Sequence, residues 1–188
     1  MFVETNTSEV FRQLGKDPRA EYDIKERLAI QLCILHACER QYAAARAKSV
    51  IFIADRTPID LASYMLADVQ RSCLVGNPAV ARAINSYVRQ CIDATNQWFS
   101  TVVLVQPGIP LVEQVGKAPA CPAFIEHISA LQMGLLVDEG LKSRHFFIPR
   151  RFTSLKDRID CLSSATNGAV EAMVQVQRLR EEAGVTIH

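Results

Sequence analysis

The chain has 188 residues, of which 49% are hydrophobic, and a formal net charge of +1, enough length and apolar content for one compact domain and too much for a disordered one. Its 20 acids and 21 bases are mixed along the sequence, which argues against a nonspecific nucleic-acid binder with a basic stripe. The longest apolar runs, 50–54 and 102–105, are far too short to cross a bilayer.

The opening Met1-Phe2-Val3-Glu4 lacks the charged and long apolar regions of a secretory signal. Six cysteines (33, 38, 73, 91, 121 and 161) form no C-x-x-C pair and have no histidine cluster beside them. They read as small buried side chains in a reducing cytoplasm, not as a metal site.

In chain order, the first β-like run is Phe2-Val3. The segment 18–46 then repeats apolar residues at Ile24, Leu28, Leu32, Leu35, Cys38 and Tyr42, close to the period of a helix. The run 50–54 is apolar without alternation, as is 101–105, so both are predicted to be strands buried on both faces of a parallel sheet. Between them, Thr57-Pro58-Ile59-Asp60 opens a helix, with Thr57 as N-cap and Asp60 at the capping-box position. Asn77-Pro78 opens another, which places Val80, Ile84, Tyr87, Val88, Cys91 and Ile92 on one face and is closed by Trp98 and Phe99.

The stretch 106–122 carries Pro107, Gly108, Pro110, Gly116, Pro119 and Pro122, too many breakers for a helix. It follows a strand, where ligands bind in parallel sheets, and reads as a lid-like loop or as a mobile surface loop. A fourth strand is predicted at 145–148. Ser154-Leu155-Lys156-Asp157 then opens a last long helix that Gly184 could end. Strand alternating with helix predicts an α/β fold, a parallel sheet flanked by helices, in a single domain over 1–188.

The sharpest chemical signal is Asp55-Arg56 at the end of the second apolar run. A carboxylate at the end of a buried parallel strand stands where Mg²⁺ and phosphate are handled in phosphoryl-transfer proteins. The same acid could cap a turn or pair with a neighbouring base. Lys142-Ser143-Arg144-His145-Phe146-Phe147 and Arg150-Arg151-Phe152 interleave bases with aromatics, but their apolar residues fit a strand better than a nucleic-acid surface.

The string from Val50-Ile51-Phe52-Ile53-Ala54-Asp55-Arg56 through Thr57-Pro58-Ile59-Asp60-Leu61-Ala62-Ser63-Tyr64 resembles the Walker-B strand and following helix of small P-loop kinases. The groups concerned are nicotinamide-riboside-kinase-like, deoxynucleoside- or thymidylate-kinase-like and phage ATP-binding proteins, all P-loop ATPases of broadly AAA-type nucleotide binding. The opening Phe2-Val3-Glu4-Thr5-Asn6 is similar to their second strand and substrate-side loop. Phe146-Phe147-Ile148-Pro149, with 154–158, is similar to their last strand and final helix.

What this resemblance implies is ATP-dependent phosphoryl transfer, with Mg²⁺ and ATP as cofactors, to a small acceptor such as a nucleoside or nucleotide. Asp55 would hold Mg²⁺ through water or act as base, and Arg56 would meet phosphate. Glu4, Thr5 and Asp60 would face the acceptor, while Lys117, Arg144, Arg150 and Arg151 would serve the nucleotide. The alternative is a non-catalytic interaction module on a decayed kinase scaffold.

Two departures bear on these roles. A Walker A loop needs G-x-x-x-x-G-K-[ST], whose backbone amides and lysine cradle phosphates. Gly15-Lys16 and Gly116-Lys117 are the chain's Gly-Lys pairs, and both lack the earlier glycine and the following Ser or Thr. The family's first strand and loop are therefore expected to be missing, upstream of Met1. The lid region 107–141 also has no arginine to clamp a phosphoryl group.

Charge-assisted hydrogen bonds contribute about 1.5–3 kcal/mol each, so losing three or four removes at least ~5 kcal/mol, or roughly 10⁴ in ATP affinity. The family's first strand would lie between 50–54 and 101–105, and its loss would open a slot about 10 Å wide. Closure of the sheet or a homo-oligomer is expected to cover that slot.

Overall fold

A computed structural model describes residues 1–71, 77–110 and 121–182. In order, the elements are β1 (Phe2–Val3), α1 (Thr7–Gln13), α2 (Ile24–Lys48), β2 (Ile53–Ala54), α3 (Pro58–Arg71), α4 (Pro78–Trp98), β3 (Thr101–Val105), α5 (Pro122–Leu136), β4 (Arg144–Ile148) and α6 (Leu155–Glu182). The chain divides into two compact units, Met1–Phe99 with Leu111–Ser143 and Ser100–Pro110 with Arg144–His188.

The first unit is built on α2. The Asp23 carboxylate caps it, accepting from the amides of Lys25 and Glu26 at 2.8 and 2.9 Å, two of the donors every helix start leaves unpaired. Its inner face buries Ile30, Ile34, Leu35, Cys38, Tyr42 and Ala45. Both α3, which buries Ile59, Leu61, Ala62 and Met65, and α4, which buries Val80, Ile84, Tyr87 and Cys91, pack on it and on each other. Burying each large apolar side chain contributes about 1.5–3 kcal/mol, so this three-helix seam is the main source of cohesion.

Arg27 Nε reaches Asp68 Oδ2 at 3.1 Å and ties α2 to α3. Asn96 fastens the end of α4: its Oδ1 accepts from the amides of Lys142 and Ser143 at 2.6 and 3.2 Å, and its Nδ2 donates to the Gly140 carbonyl at 2.8 Å. The β1–β2 pair is parallel and two residues long, with Phe2 opposite Ile53 and Val3 opposite Ala54.

In the second unit β3 and β4 pair in parallel over five residues, from Thr101 opposite Arg144 to Val105 opposite Ile148. Helix α6 packs on β4. The Ser154 hydroxyl accepts from the Asp157 amide at 3.1 Å and donates to its carboxylate at 2.6 Å, which fixes the start of α6. Arg158 donates to the carbonyls of Phe152 at 2.6 Å and Gln106 at 3.2 Å, and so joins the turn after β4 to the exit of β3. A Cβ at Gly108 would lie 2.2 Å from the Arg150 carbonyl oxygen, so only glycine lets the two backbones approach this closely.

The expected α/β fold, a parallel sheet flanked by helices in the manner of a P-loop kinase, is corrected by these observations. Among the described residues the protein is mostly helical, with two two-stranded parallel sheets, β1–β2 and β3–β4. The physical reason lies in the run 50–54, which was expected to be buried on both faces. Only Ile53 and Ala54 pair, Val50 is 98% exposed and Ile53 is 53% exposed. Helix α5 also occupies a region where no element was expected, and the tight core is formed by helix faces.

Residues 111–120, most of the expected lid, and Gly184 lie outside the described residues. Among the described residues no helix is long and apolar enough to cross a membrane. The five described cysteines are free thiols. Two of them, Cys38 and Cys91, are buried in the helix seam, where burial pushes their thiols up to about 11 and about 12.

Candidate functional site

The two strands β1 and β2 run parallel, so the segments that leave them, 4–6 and 55–57, emerge at the same edge. The Asp55 amide donates to the Val3 carbonyl at 3.2 Å, and the Thr5 amide donates to Asp55 Oδ1 at 2.8 Å. Asp55 is exposed, yet this bond holds its carboxylate at a defined place. A charge-assisted bond of this kind is among the stronger ones available to a surface acid.

Arg56 follows on the same edge, with its guanidinium carbon 5.6 Å from the centroid of the Tyr64 ring, a cation–π contact that restrains the side chain. Its carbonyl accepts the buried Tyr42 hydroxyl at 3.1 Å. Tyr42 also stacks against Phe52 (centroids 5.9 Å apart) and meets Phe99 edge-on (5.0 Å). The backbone of the candidate site thus rests on an aromatic cluster.

Asp60 sits one turn into α3 and turns inward. Its Oδ2 accepts from the Thr57 amide at 2.9 Å and the Thr57 hydroxyl at 3.2 Å, and its Oδ1 accepts from Gln132 Nε2 on α5 at 2.9 Å. Burial raises its carboxyl above the ordinary aspartate range, although the Thr57 backbone bond and the charge of Arg56 both pull the other way. Its oxygens are taken up by the protein, so it serves the α3–α5 junction.

Of the residues singled out in the sequence, Glu4, Thr5, Asp55, Arg56 and Asp60 all fall in the first unit. Thr5 and Asp55 are joined directly; Glu4 is exposed beside them, and Thr5 is buried. Arg144, Arg150 and Arg151 belong to the second unit and are exposed, with the Arg151 guanidinium carbon 5.1 Å from the centroid of the Phe152 ring. Lys117 lies outside the described residues.

Gln132 carries no signal in the sequence, because its bond to Asp60 spans 72 positions and leaves no local pattern. Tyr42 and Tyr64 were visible, but only as a helix-face residue and as part of a resemblance.

Among the described residues no group of three or more His, Cys, Asp or Glu side chains could enclose a metal ion. A single restrained carboxylate suits Mg²⁺ held through water alongside substrate phosphates, the usual arrangement for that ion. For ATP the fit is poorer, because no glycine-rich cradle is present in the sequence. Compared with protein-family models, with curated proteins and with solved structures, the chain finds no match.

Proposed function

We propose that the chain is a nucleotide-handling domain of ATP-dependent phosphoryl-transfer lineage, impaired in phosphate binding, with Asp55 facing Mg²⁺ and Arg56 facing phosphate. One observation carries the reading: the Asp55 carboxylate is exposed at the carboxyl end of a parallel strand while the Thr5 amide fixes one of its oxygens at 2.8 Å. Its other oxygen is available to the hydration shell of a cation. When bound, Mg²⁺ would supply neutralisation of charge on phosphate oxygens. Arg56, braced on Tyr64, would pair with those oxygens. The acceptor class proposed is a small nucleoside or nucleotide, and the free thiols support a reducing cytoplasm as the setting.

Without a phosphate cradle, Mg-ATP binding is expected no tighter than about millimolar. Calorimetry on the full chain tests this. Asp55→Asn should abolish the Mg²⁺ dependence of nucleotide binding while leaving the Thr5 bond and the fold intact. Micromolar affinity, or an Asp55→Asn variant that binds Mg-ATP as the unaltered chain does, would overturn the reading.

A second reading, a non-catalytic interaction module that self-associates, is favoured by the apolar side chains that Phe2, Val50, Ile51 and Ile53 leave exposed around the short β1–β2 pair. Light scattering over a range of concentrations is then expected to show a dimer or larger species. A monomer at every concentration removes this reading.

A further inference from the structure

Among the described residues, four polar atoms buried in the first unit have no hydrogen-bond partner, Thr5 Oγ1, Gln41 Oε1, Trp98 Nε1 and Ser129 Oγ, and the first two lie together. Buried polar groups in folded proteins are almost always satisfied, so a pair of orphans calls for a physical account. Both residues line the same small cavity, between the loop after β1 and helix α2, together with Asn6, Thr7, Ala37 and Cys38. The space open to the centre of a water molecule there is about 10 Å³, room for a single water.

Everything else on Thr5 is already engaged. Its amide donates to Asp55 and its carbonyl accepts from the Thr7 amide at 3.1 Å. The neighbouring Tyr42 hydroxyl gives its proton to the Arg56 carbonyl, so toward Thr5 Oγ1 it can only accept; the lone pairs of Thr5 Oγ1 stay without a donor, and Thr5 itself is only 9% exposed. The lining side chains are neutral: none is acidic or basic, and burial keeps the Cys38 thiol protonated. An ion would find no countercharge there, and an apolar guest would leave both oxygens unpaired.

We propose that this cavity is a binding site for one water molecule, which hydrogen-bonds to Thr5 Oγ1 and Gln41 Oε1. The water can donate to both acceptors at once, and it ties the loop after β1 to α2. It therefore also steadies the backbone whose amide grips Asp55, whether or not Asp55 meets a nucleotide. Thr5 and Gln41 act here as positioning residues.

A high-resolution crystal structure of the full chain should show one water within hydrogen-bond distance of both oxygens, retained in Thr5→Ser and lost in Thr5→Val and in Gln41→Met. Each of the latter two is expected to lower the folding equilibrium constant by roughly tenfold, because one orphan remains without its water. The double variant removes both polar atoms, so its loss should be clearly smaller than the product of the single losses. Collapse of the cavity with a direct Thr5–Gln41 bond, absence of density at the site, or multiplicative losses in the double variant would each overturn the proposal.

Discussion

Replacing Tyr42 by alanine should destabilise the protein by about 3–5 kcal/mol, the range for emptying a buried aromatic site. The side chain is 1% exposed and is surrounded by Phe52, Phe99 and Trp98, with ring centroids 5.9, 5.0 and 6.3 Å away. Phenylalanine at the same position keeps those contacts and loses only the bond to the Arg56 carbonyl, so Tyr42→Phe should cost about 1 kcal/mol. The single tryptophan of the chain is Trp98, which makes urea unfolding followed by fluorescence a direct readout of this cluster. Equal costs for the two variants would show that the hydroxyl, not the packing, dominates. A cost below ~1 kcal/mol for Tyr42→Ala would show that the cluster does not hold the fold together.

The second large effect belongs to Asp60. Removing its side chain with alanine strands the Thr57 amide, the Thr57 hydroxyl and Gln132 Nε2, and should cost about 2–4 kcal/mol. Asp60→Asn keeps an acceptor for Thr57, and Gln132 can rotate its amide to meet the new donor, so this variant should be close to neutral or stabilising near pH 7. The sign of the pH effect follows from the raised carboxyl. The folded state holds the Asp60 proton more tightly than the unfolded chain does. The stabilising contribution of that proton is fully present below the unfolded value and is lost as pH rises through the folded one. Asp60→Asn should therefore gain on the unaltered protein as pH climbs from about 4 upward. A stability difference that is flat with pH, or that runs the other way, would mean the carboxylate is comfortable in its site.

Local chemistry made some elements legible and left others dark. Strand β3 is legible at Thr101–Val105 because an apolar run rich in β-branched residues and followed by Pro107 and Gly108 has few other uses. The expected burial on both faces is corrected there: Val102 and Leu104 are buried while Val105 is 50% exposed. The starts of α3, α4 and α6 were legible because Asp60, Asn77 and Ser154 carry side-chain oxygens that meet nearby backbone amides. The failure at 50–54 has an equally definite cause. An apolar run states what a residue prefers, not whether a neighbour is there to cover it, and β1 offers only two residues of partner.

Pro122 hides the start of α5, because proline reads as a breaker within a Pro- and Gly-rich stretch and yet is favoured in the first turn of a helix. Within the candidate site, Asp55 stood out by its position after an apolar run. The Thr5 amide that holds it acts through the backbone, which no side-chain pattern reports.

The interleaving of the two units has a consequence for dissection. The polypeptide leaves the first unit at Phe99, contributes β3 to the second, and is again in the first with α5 before leaving at Arg144. Neither unit is an uninterrupted stretch of gene. A truncation placed in 106–143 removes β4 and α6 while leaving β3 behind, and truncations before α5 also take away the helix that satisfies Asp60. Separating the units intact would require circular permutation or a designed splice, not a stop codon.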